Sequence, residues 1–124
     1  METRLKNSGV RMGFKAGLAK KRREELENEF KRILPEIIKL GVEKIILFGS
    51  LTSQNVHKSS DIDIIVVQRT EKKFLERIQE FYEYLKPRVA LDIFVYTPEE
   101  FEEMRKWNSF IKSALNKGRV IYEK

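Results

Sequence analysis

The sequence contains no cysteine, a single histidine and no long apolar run. The absence of cysteine excludes disulfides and thiolate metal sites, and it fits a reducing cytoplasm. A helix that spans a bilayer needs about 20 consecutive apolar residues, and no segment of this chain approaches that length. The first residues also lack the apolar block of a secretory signal. We therefore expect a cytoplasmic protein that makes no use of a membrane.

The chain has 124 residues, of which 41% are hydrophobic and 35% are charged. This length is sufficient for one compact domain and too short for two ordinary ones. The hydrophobic fraction can supply a core, while the charged residues keep the surface solvated. The composition allows an oligomer but does not decide the oligomeric state.

Positive charge is concentrated near the N-terminus. Residues 1–23 carry eight basic side chains and one acidic one, a net charge of +7, whereas the whole chain carries +6. Residues 1–16 show no clear apolar period, so we expect a flexible basic arm there and a domain over residues 17–124. Such an arm is either a solvated leader or a docking segment for nucleic acid or an acidic protein.

Apolar periodicity predicts helices that alternate with short strands. Pro35 should kink the first helix or start a second one, and Thr70 should cap the next. Thr97 and Pro98 mark the start of a further helical region, which either runs unbroken or breaks near Trp107 and Asn108. The helices are expected over residues 18–40, 71–86 and 98–116, and the strands over 44–48, 61–67, 89–96 and 119–122. This order predicts an α/β (α+β) domain with helices flanking a small mixed sheet.

Two aspartates stand out in the second predicted strand. Asp61 and Asp63 emerge on the same face, about 6.5–7 Å apart along the strand, because side chains alternate between faces. Desolvating two unpaired carboxylates is costly. They therefore need a metal ion, a basic partner or a position at the exposed end of the strand.

A third acid interrupts the apolar run of the third predicted strand. Asp92 completes a three-acid cluster with Asp61 and Asp63 if the two strands are neighbours. Carboxylates without cysteine or histidine suit Mg²⁺, which also keeps waters and substrate phosphates as ligands. Two such ions could activate an attacking oxygen and neutralise a leaving pyrophosphate.

Gly49 and Ser50 follow the first predicted strand directly. Glycine lets the backbone approach a ligand closely, and a short helix that starts at Ser50 would present free N–H groups to an anion. Together with the acids, this loop indicates a site for a nucleoside triphosphate.

The pattern Gly49-Ser50, ten residues, Asp61-x-Asp63 and a later strand acid resembles the DNA polymerase beta-like nucleotidyltransferase superfamily. The apolar contexts LFGS and SDIDIIVV are similar to its minimal nucleotidyltransferases of bacteria and archaea, and the resemblance covers roughly residues 36–124. It implies the polymerase beta-like fold and ATP as the nucleotide donor. The family often carries a basic residue and a glycine just after Gly-Ser, where this chain has residues 51–54, LTSQ. The phosphate contact is therefore either weaker or supplied by Lys58.

Three functions are compatible with these features. In the first, the protein is an enzyme: Asp61 and Asp63 bind Mg²⁺, Gly49 and Ser50 hold the triphosphate, and Asp92 shares a metal and activates an acceptor hydroxyl. In the second, which the resemblance implies, it is an antitoxin that inactivates a HEPN-type ribonuclease toxin by adenylylating it, by binding it, or both. In the third, it is a non-catalytic module that binds nucleic acid through its basic arm.

Overall fold

Helices and strands alternate along the described part of the chain. The computed structural model describes the backbone of residues 6–124 and the side chains of residues 17–124. The elements are the helices α1 (Lys6–Lys39), α2 (Phe74–Leu85), α3 (Pro98–Met104) and α4 (Ser109–Lys117), and the strands β1 (Lys44–Phe48), β2 (Ile62–Val67), β3 (Leu91–Tyr96) and β4 (Arg119–Glu123). Within these residues, no helix is long and apolar enough to cross a membrane.

The four strands form one mixed sheet in the order β3-β2-β1-β4. Strand β1 runs antiparallel to both β2 and β4, whereas β2 and β3 are parallel. The parallel pair arises because α2 carries the chain from the end of β2 back to the start of β3, as parallel connections require. The predicted class, helices flanking a small mixed sheet, is confirmed.

The sheet is covered on both faces. Residues such as Ile62 and Ile64 of β2 pack with Ile33 of α1 and Phe81 of α2 in one cluster of buried side chains. On the opposite face, Ile65 packs with side chains of α3 and α4 in a second cluster. Burying each isoleucine contributes about 1.5–3 kcal/mol of stability. Strand β2 is therefore the centre of the molecule, and any polar side chain on it has a specific reason to be there.

The first helix is longer than predicted. It begins at Lys6 instead of Leu18, so the backbone expected to be irregular over residues 6–16 is helical. It continues through Pro35 to Lys39, and Gly41 follows with φ at +81°, the left-handed conformation that commonly follows a helix. Residues 1–5 of the predicted arm lie outside the described residues. The division into an arm and a domain stays a prediction.

The second helix begins later than predicted. The hydroxyl of Thr70 accepts a hydrogen bond from the backbone N–H of Lys72 at 3.1 Å and closes a local turn instead of capping a helix. The helix begins at Phe74, where the Glu76 carboxylate accepts from the N–H of Lys73 at 2.9 Å. Thr70 therefore marks a turn, as threonine often does, but this turn precedes the helix and the side chain of Thr70 does not cap it.

The helical region after Thr97 begins as predicted and is divided into two helices. Thr97 and Glu100 form a reciprocal capping box at the start of α3. The break near Asn108 is present, because the side chain of Asn108 accepts from the N–H of Ile111 at 3.0 Å and starts α4.

Candidate active site

Two of the predicted acids lie side by side on the sheet. Asp63 of β2 is the register partner of Asp92 of β3, and on its other side it is the partner of Phe48 of β1. Neighbouring strands are about 4.8 Å apart. The three residues therefore form one row at the edge of the sheet where β1 ends and where β2 and β3 begin.

The row carries uncompensated negative charge. Burial, the adjacent Asp92 carboxyl group and then Asp61 raise the pKa of Asp63 to about 7. Asp63 is half-buried, whereas Asp92 is exposed. No lysine or arginine side chain that the structure describes forms an ion pair with any of these three acids. A cation bound between Asp63 and Asp92 would relieve this repulsion.

Gly49 lies directly against Asp63. Its φ of +77° lies in the left-handed region that favours glycine. A Cβ atom at this position would lie 2.9 Å from Cγ of Asp63, which is too close for two carbons. Any side chain here would have to displace the carboxylate. Glycine is therefore required both by the backbone conformation and by the contact with Asp63.

A short 3-10 turn, Gly49–Thr52, follows β1. The Thr52 hydroxyl donates to the carbonyl of Gly49 at 2.7 Å, and the Ser53 N–H donates to that of Ser50 at 3.1 Å. The hydroxyl of Ser50 makes no hydrogen bond with another described residue. The turn is thus internally fixed, while Ser50 keeps a donor for a ligand.

Helix α1 holds both ends of the loop between β1 and β2. The guanidinium of Arg23 donates to the carbonyls of Leu51 and Ser53. Arg22 donates through Nε to the carbonyl of Ser60 at 2.9 Å, one residue before Asp61. The sequence does not predict this role of Arg22 and Arg23. Their acceptors are backbone carbonyls, which every residue has, so no residue type marks the contact.

The start of β3 is held in a similar way. The hydroxyl of Tyr82 in α2 donates to the carbonyl of Leu91, the residue before Asp92. Burial and then the nearby Asp92 carboxylate raise the pKa of the Tyr82 hydroxyl. This tyrosine therefore remains a neutral donor at physiological pH and fixes the backbone that carries Asp92.

An open cleft of about 660 Å³ begins at the 3-10 turn. Phe110 of α4 forms part of its wall, with its ring centroid 5.3 Å from that of Phe48 and 5.1 Å from that of Phe94. The cleft is lined by Phe48, Gly49, Ser50, Thr52, Ser53, Asn55, His57, Phe110, Ser113, Ala114 and Lys117.

The structure brings most of the predicted site residues together. Gly49 and Ser50 line the cleft, Asp63 lies against Gly49, and Asp92 is the strand partner of Asp63. Asp61 precedes β2 instead of lying in it, yet it is close enough to raise the pKa of Asp63. Lys58 is exposed and does not line the cleft. Its phosphate contact, like the other residue assignments, stays a prediction.

The metal assignment also stays a prediction. Across the residues that the structure describes, no group of three or more histidine, cysteine, aspartate or glutamate side chains could hold a metal ion by itself. Mg²⁺ does not require such a group, since proteins usually bind it through one or two carboxylates together with substrate phosphates and waters.

Residues 28–124 match the sequence model of the family described as "Polymerase beta, Nucleotidyltransferase". The chain belongs to this nucleotidyltransferase family. It is 31% identical over 99 residues to a Methanocaldococcus jannaschii protein named "Putative protein adenylyltransferase MJ0604", and the alignment covers 80% of this chain and 97% of that relative.

A solved structure supports the fold of this nucleotidyltransferase. The crystal structure titled as that of "a putative nucleotidyltransferase from Sulfolobus solfataricus" is similar with a TM-score of 0.61, covering 86% of this chain and 88% of that chain. The two sequences are 19% identical, so this likeness shows the fold alone. It confirms the predicted polymerase beta-like fold. The family match begins at residue 28, so Arg22 and Arg23 precede it.

Proposed function

We propose that this nucleotidyltransferase transfers AMP from Mg²⁺-bound ATP to a hydroxyl group of a partner protein. The observation that carries the proposal is the position of Asp63. It lies half-buried beside Asp92, close to Asp61 and against the backbone of Gly49, with no described basic side chain to neutralise it. A group of acids next to an open cleft can bind a cation together with a phosphorylated ligand.

The residues present fit magnesium. Asp61 and Asp63 offer carboxylate oxygens at the start of β2, and Asp92 shares the ion from the neighbouring strand. Hard oxygen ligands without sulfur or imidazole favour Mg²⁺ over transition metals. When bound, the ion would neutralise charge on the phosphates and on the leaving pyrophosphate.

The protein's own residues bind the phosphates and remove the acceptor proton. Gly49 and Ser50 bind the phosphates through backbone N–H groups and the Ser50 hydroxyl. The acceptor oxygen forms a bond to the α-phosphorus, the bond from this phosphorus to the bridging oxygen breaks, and pyrophosphate leaves with that electron pair. The Asp92 carboxylate takes the acceptor proton, a role that its exposure supports, because a macromolecular acceptor can reach it.

The acceptor is proposed to be a protein because the named Methanocaldococcus jannaschii relative is called a protein adenylyltransferase. A HEPN-type ribonuclease toxin is the partner that the sequence resemblance implies. Co-purification from the native host, followed by mass spectrometry, tests both points. A partner whose mass is increased by AMP supports transfer, whereas a partner that stays unmodified in the presence of ATP supports neutralisation by binding alone.

The mechanism is tested by three conservative variants. Asp61→Asn and Asp63→Asn should abolish both transfer and Mg²⁺-dependent ATP binding, which calorimetry measures. Asp92→Asn should abolish transfer but keep much of the ATP affinity, since its main role is on the acceptor side. Wild-type protein that binds no ATP at millimolar Mg²⁺ would contradict the enzyme assignment. Salt-sensitive binding of nucleic acid that survives all three substitutions would favour the non-catalytic alternative.

A further inference from the structure

The loop after Ser50 offers little positive charge to a polyphosphate. Residues 51–57 contain no lysine or arginine. Arg22 and Arg23 lie next to the loop, but their guanidinium groups already donate to its carbonyls. Lys58 follows at an exposed position outside the cleft lining. A triphosphate held by this loop therefore needs a cation from another part of the fold.

Lys117 is the one lysine or arginine among the described residues that line the cleft beside Gly49 and Ser50. It is exposed, and it makes no ion pair with an acid that the structure describes. No aspartate or glutamate lines the same cleft, although the chain carries 19 acidic residues. Besides Lys117, the lining includes the hydroxyl groups of Ser50 and Ser113, which can donate to an anionic ligand.

The position of Lys117 is fixed by the residue that follows it. A Cβ atom on Gly118 would lie 2.5 Å from the carbonyl oxygens of Leu47 and Ala114 and 3.1 Å from Cβ of Phe48. Only glycine therefore allows the end of α4 to press against the end of β1. This contact brings Lys117 next to the start of the 3-10 turn.

Gly49 connects the acids with this cation. It lies against Asp63, and it also lines the cleft that contains Lys117. A metal-bound triphosphate has the complementary chemistry, since it carries both a cation for the acids and negative oxygens for a lysine. We propose, on the basis of the proposed function, that Lys117 binds the polyphosphate of the nucleotide and replaces the basic residue that the loop lacks.

A purely structural role makes a different prediction. Lysine in the last turn of a helix stabilises the helix dipole by a few tenths of a kcal/mol without touching any ligand. In that case, Lys117→Gln would lower the melting temperature and leave nucleotide affinity unchanged. Lys112 lies on the same helix, exposed and outside the cleft lining, and it provides a matched control of equal charge.

The test is calorimetric titration with ATP and Mg²⁺, and separately with inorganic tripolyphosphate. Lys117→Gln should weaken both affinities about five- to twenty-fold, as expected for one charge-assisted contact in an open cleft. Lys117→Arg should restore most of the affinity. Lys112→Gln should bind as the wild type does, whereas Lys58→Gln tests the alternative in which Lys58 supplies the phosphate contact.

Two results would overturn this role of Lys117. One is wild-type affinity in Lys117→Gln, and the other is a loss that appears in Lys58→Gln instead. Wild-type protein that binds no ATP would contradict the proposed function itself, and the role of Lys117 with it. The wild-type titration therefore distinguishes a failure of the proposed function from a failure of the proposed role of Lys117.

Discussion

At the scale of single residues, Asp63 determines how the site responds to pH. Its pKa of about 7 exceeds the ordinary value of 3.8 because the carboxyl group is buried and lies beside Asp92 and Asp61. The folded protein therefore holds a proton on Asp63 more tightly than the unfolded chain does. This contribution to stability is complete below pH 4 and is lost as the pH rises through 7.

Replacing Asp63 by asparagine should remove this pH dependence. In EDTA at pH 8, Asp63→Asn should raise the free energy of unfolding by about 1 kcal/mol, a value kept small because the group retains contact with water. Below pH 4 the two proteins should be nearly equal in stability. Thermal denaturation at both pH values measures the difference, and an equal effect at both would show that folding does not raise the pKa of Asp63.

At the scale of secondary structure, α1 organises the site through two separate contacts. Its arginines Arg22 and Arg23 hold the loop between β1 and β2. Further along, Arg32 pairs with Glu29 through two hydrogen bonds of 2.7 and 2.8 Å. Glu29 also accepts from the backbone N–H of Arg88, between α2 and β3. One helix thus positions the segments that precede both Asp61 and Asp92.

The loop contacts predict a selective loss of activity. Arg22→Ala should lower transfer by about ten-fold or more, because a small displacement of Asp61 is costly for catalysis, while the melting temperature should fall only slightly. The matched control is Lys21→Ala, an exposed neighbour of equal charge. Unchanged activity in Arg22→Ala would show that the loop keeps its position without this contact.

The second contact predicts a loss of stability. Glu29 is only 5% exposed, and the hydrogen bond from Arg32 holds the pKa of its carboxyl group below the usual value. Glu29→Gln should lower the free energy of unfolding by about 2 kcal/mol at pH 7, since Arg32 loses its partner. Because the pKa is lowered in the folded state, the difference should shrink as the pH falls below about 4.5. Urea denaturation at pH 7 and pH 4 measures this difference in the free energy of unfolding. The control is Glu24→Gln, since Glu24 is exposed.

At the scale of the whole molecule, part of the N-terminal positive charge makes contacts inside the protein. Arg22 and Arg23 belong to the basic segment of residues 1–23, yet their guanidinium groups bind the chain's own loop. A partner, whether nucleic acid or protein, would therefore meet the earlier part of the segment.

Deletion of residues 1–16 should leave the fold and nucleotide affinity intact, because it preserves Arg22, Arg23 and the packing of α1 from Leu26 onwards. It should weaken binding of a partner or of nucleic acid, most clearly at low salt. Circular dichroism and partner binding at two salt concentrations measure these effects. An unfolded truncation product would show that the domain includes the predicted arm.

Much of the fold could be predicted from local patterns. The strands β1 and β4, the capping box at Thr97 and the break at Asn108 follow from short-range features. The helix start at Thr70 was wrong, because the same hydroxyl that caps a helix can also close a turn. The helical backbone of residues 6–16 was also missed, since that segment has no apolar period to indicate it.

The sequence by itself determined the family: the pattern of Gly49, Ser50, Asp61 and Asp63 resembles nucleotidyltransferases, and the family match confirmed the membership. Only the tertiary structure decided which groups meet. The register of β2 and β3 places Asp92 beside Asp63, and the contact of Gly118 with β1 brings Lys117 to the cleft. The physical reason is distance along the chain. Residue spacing reports neighbours within one strand or helix, whereas strand pairing and helix packing join residues far apart in sequence.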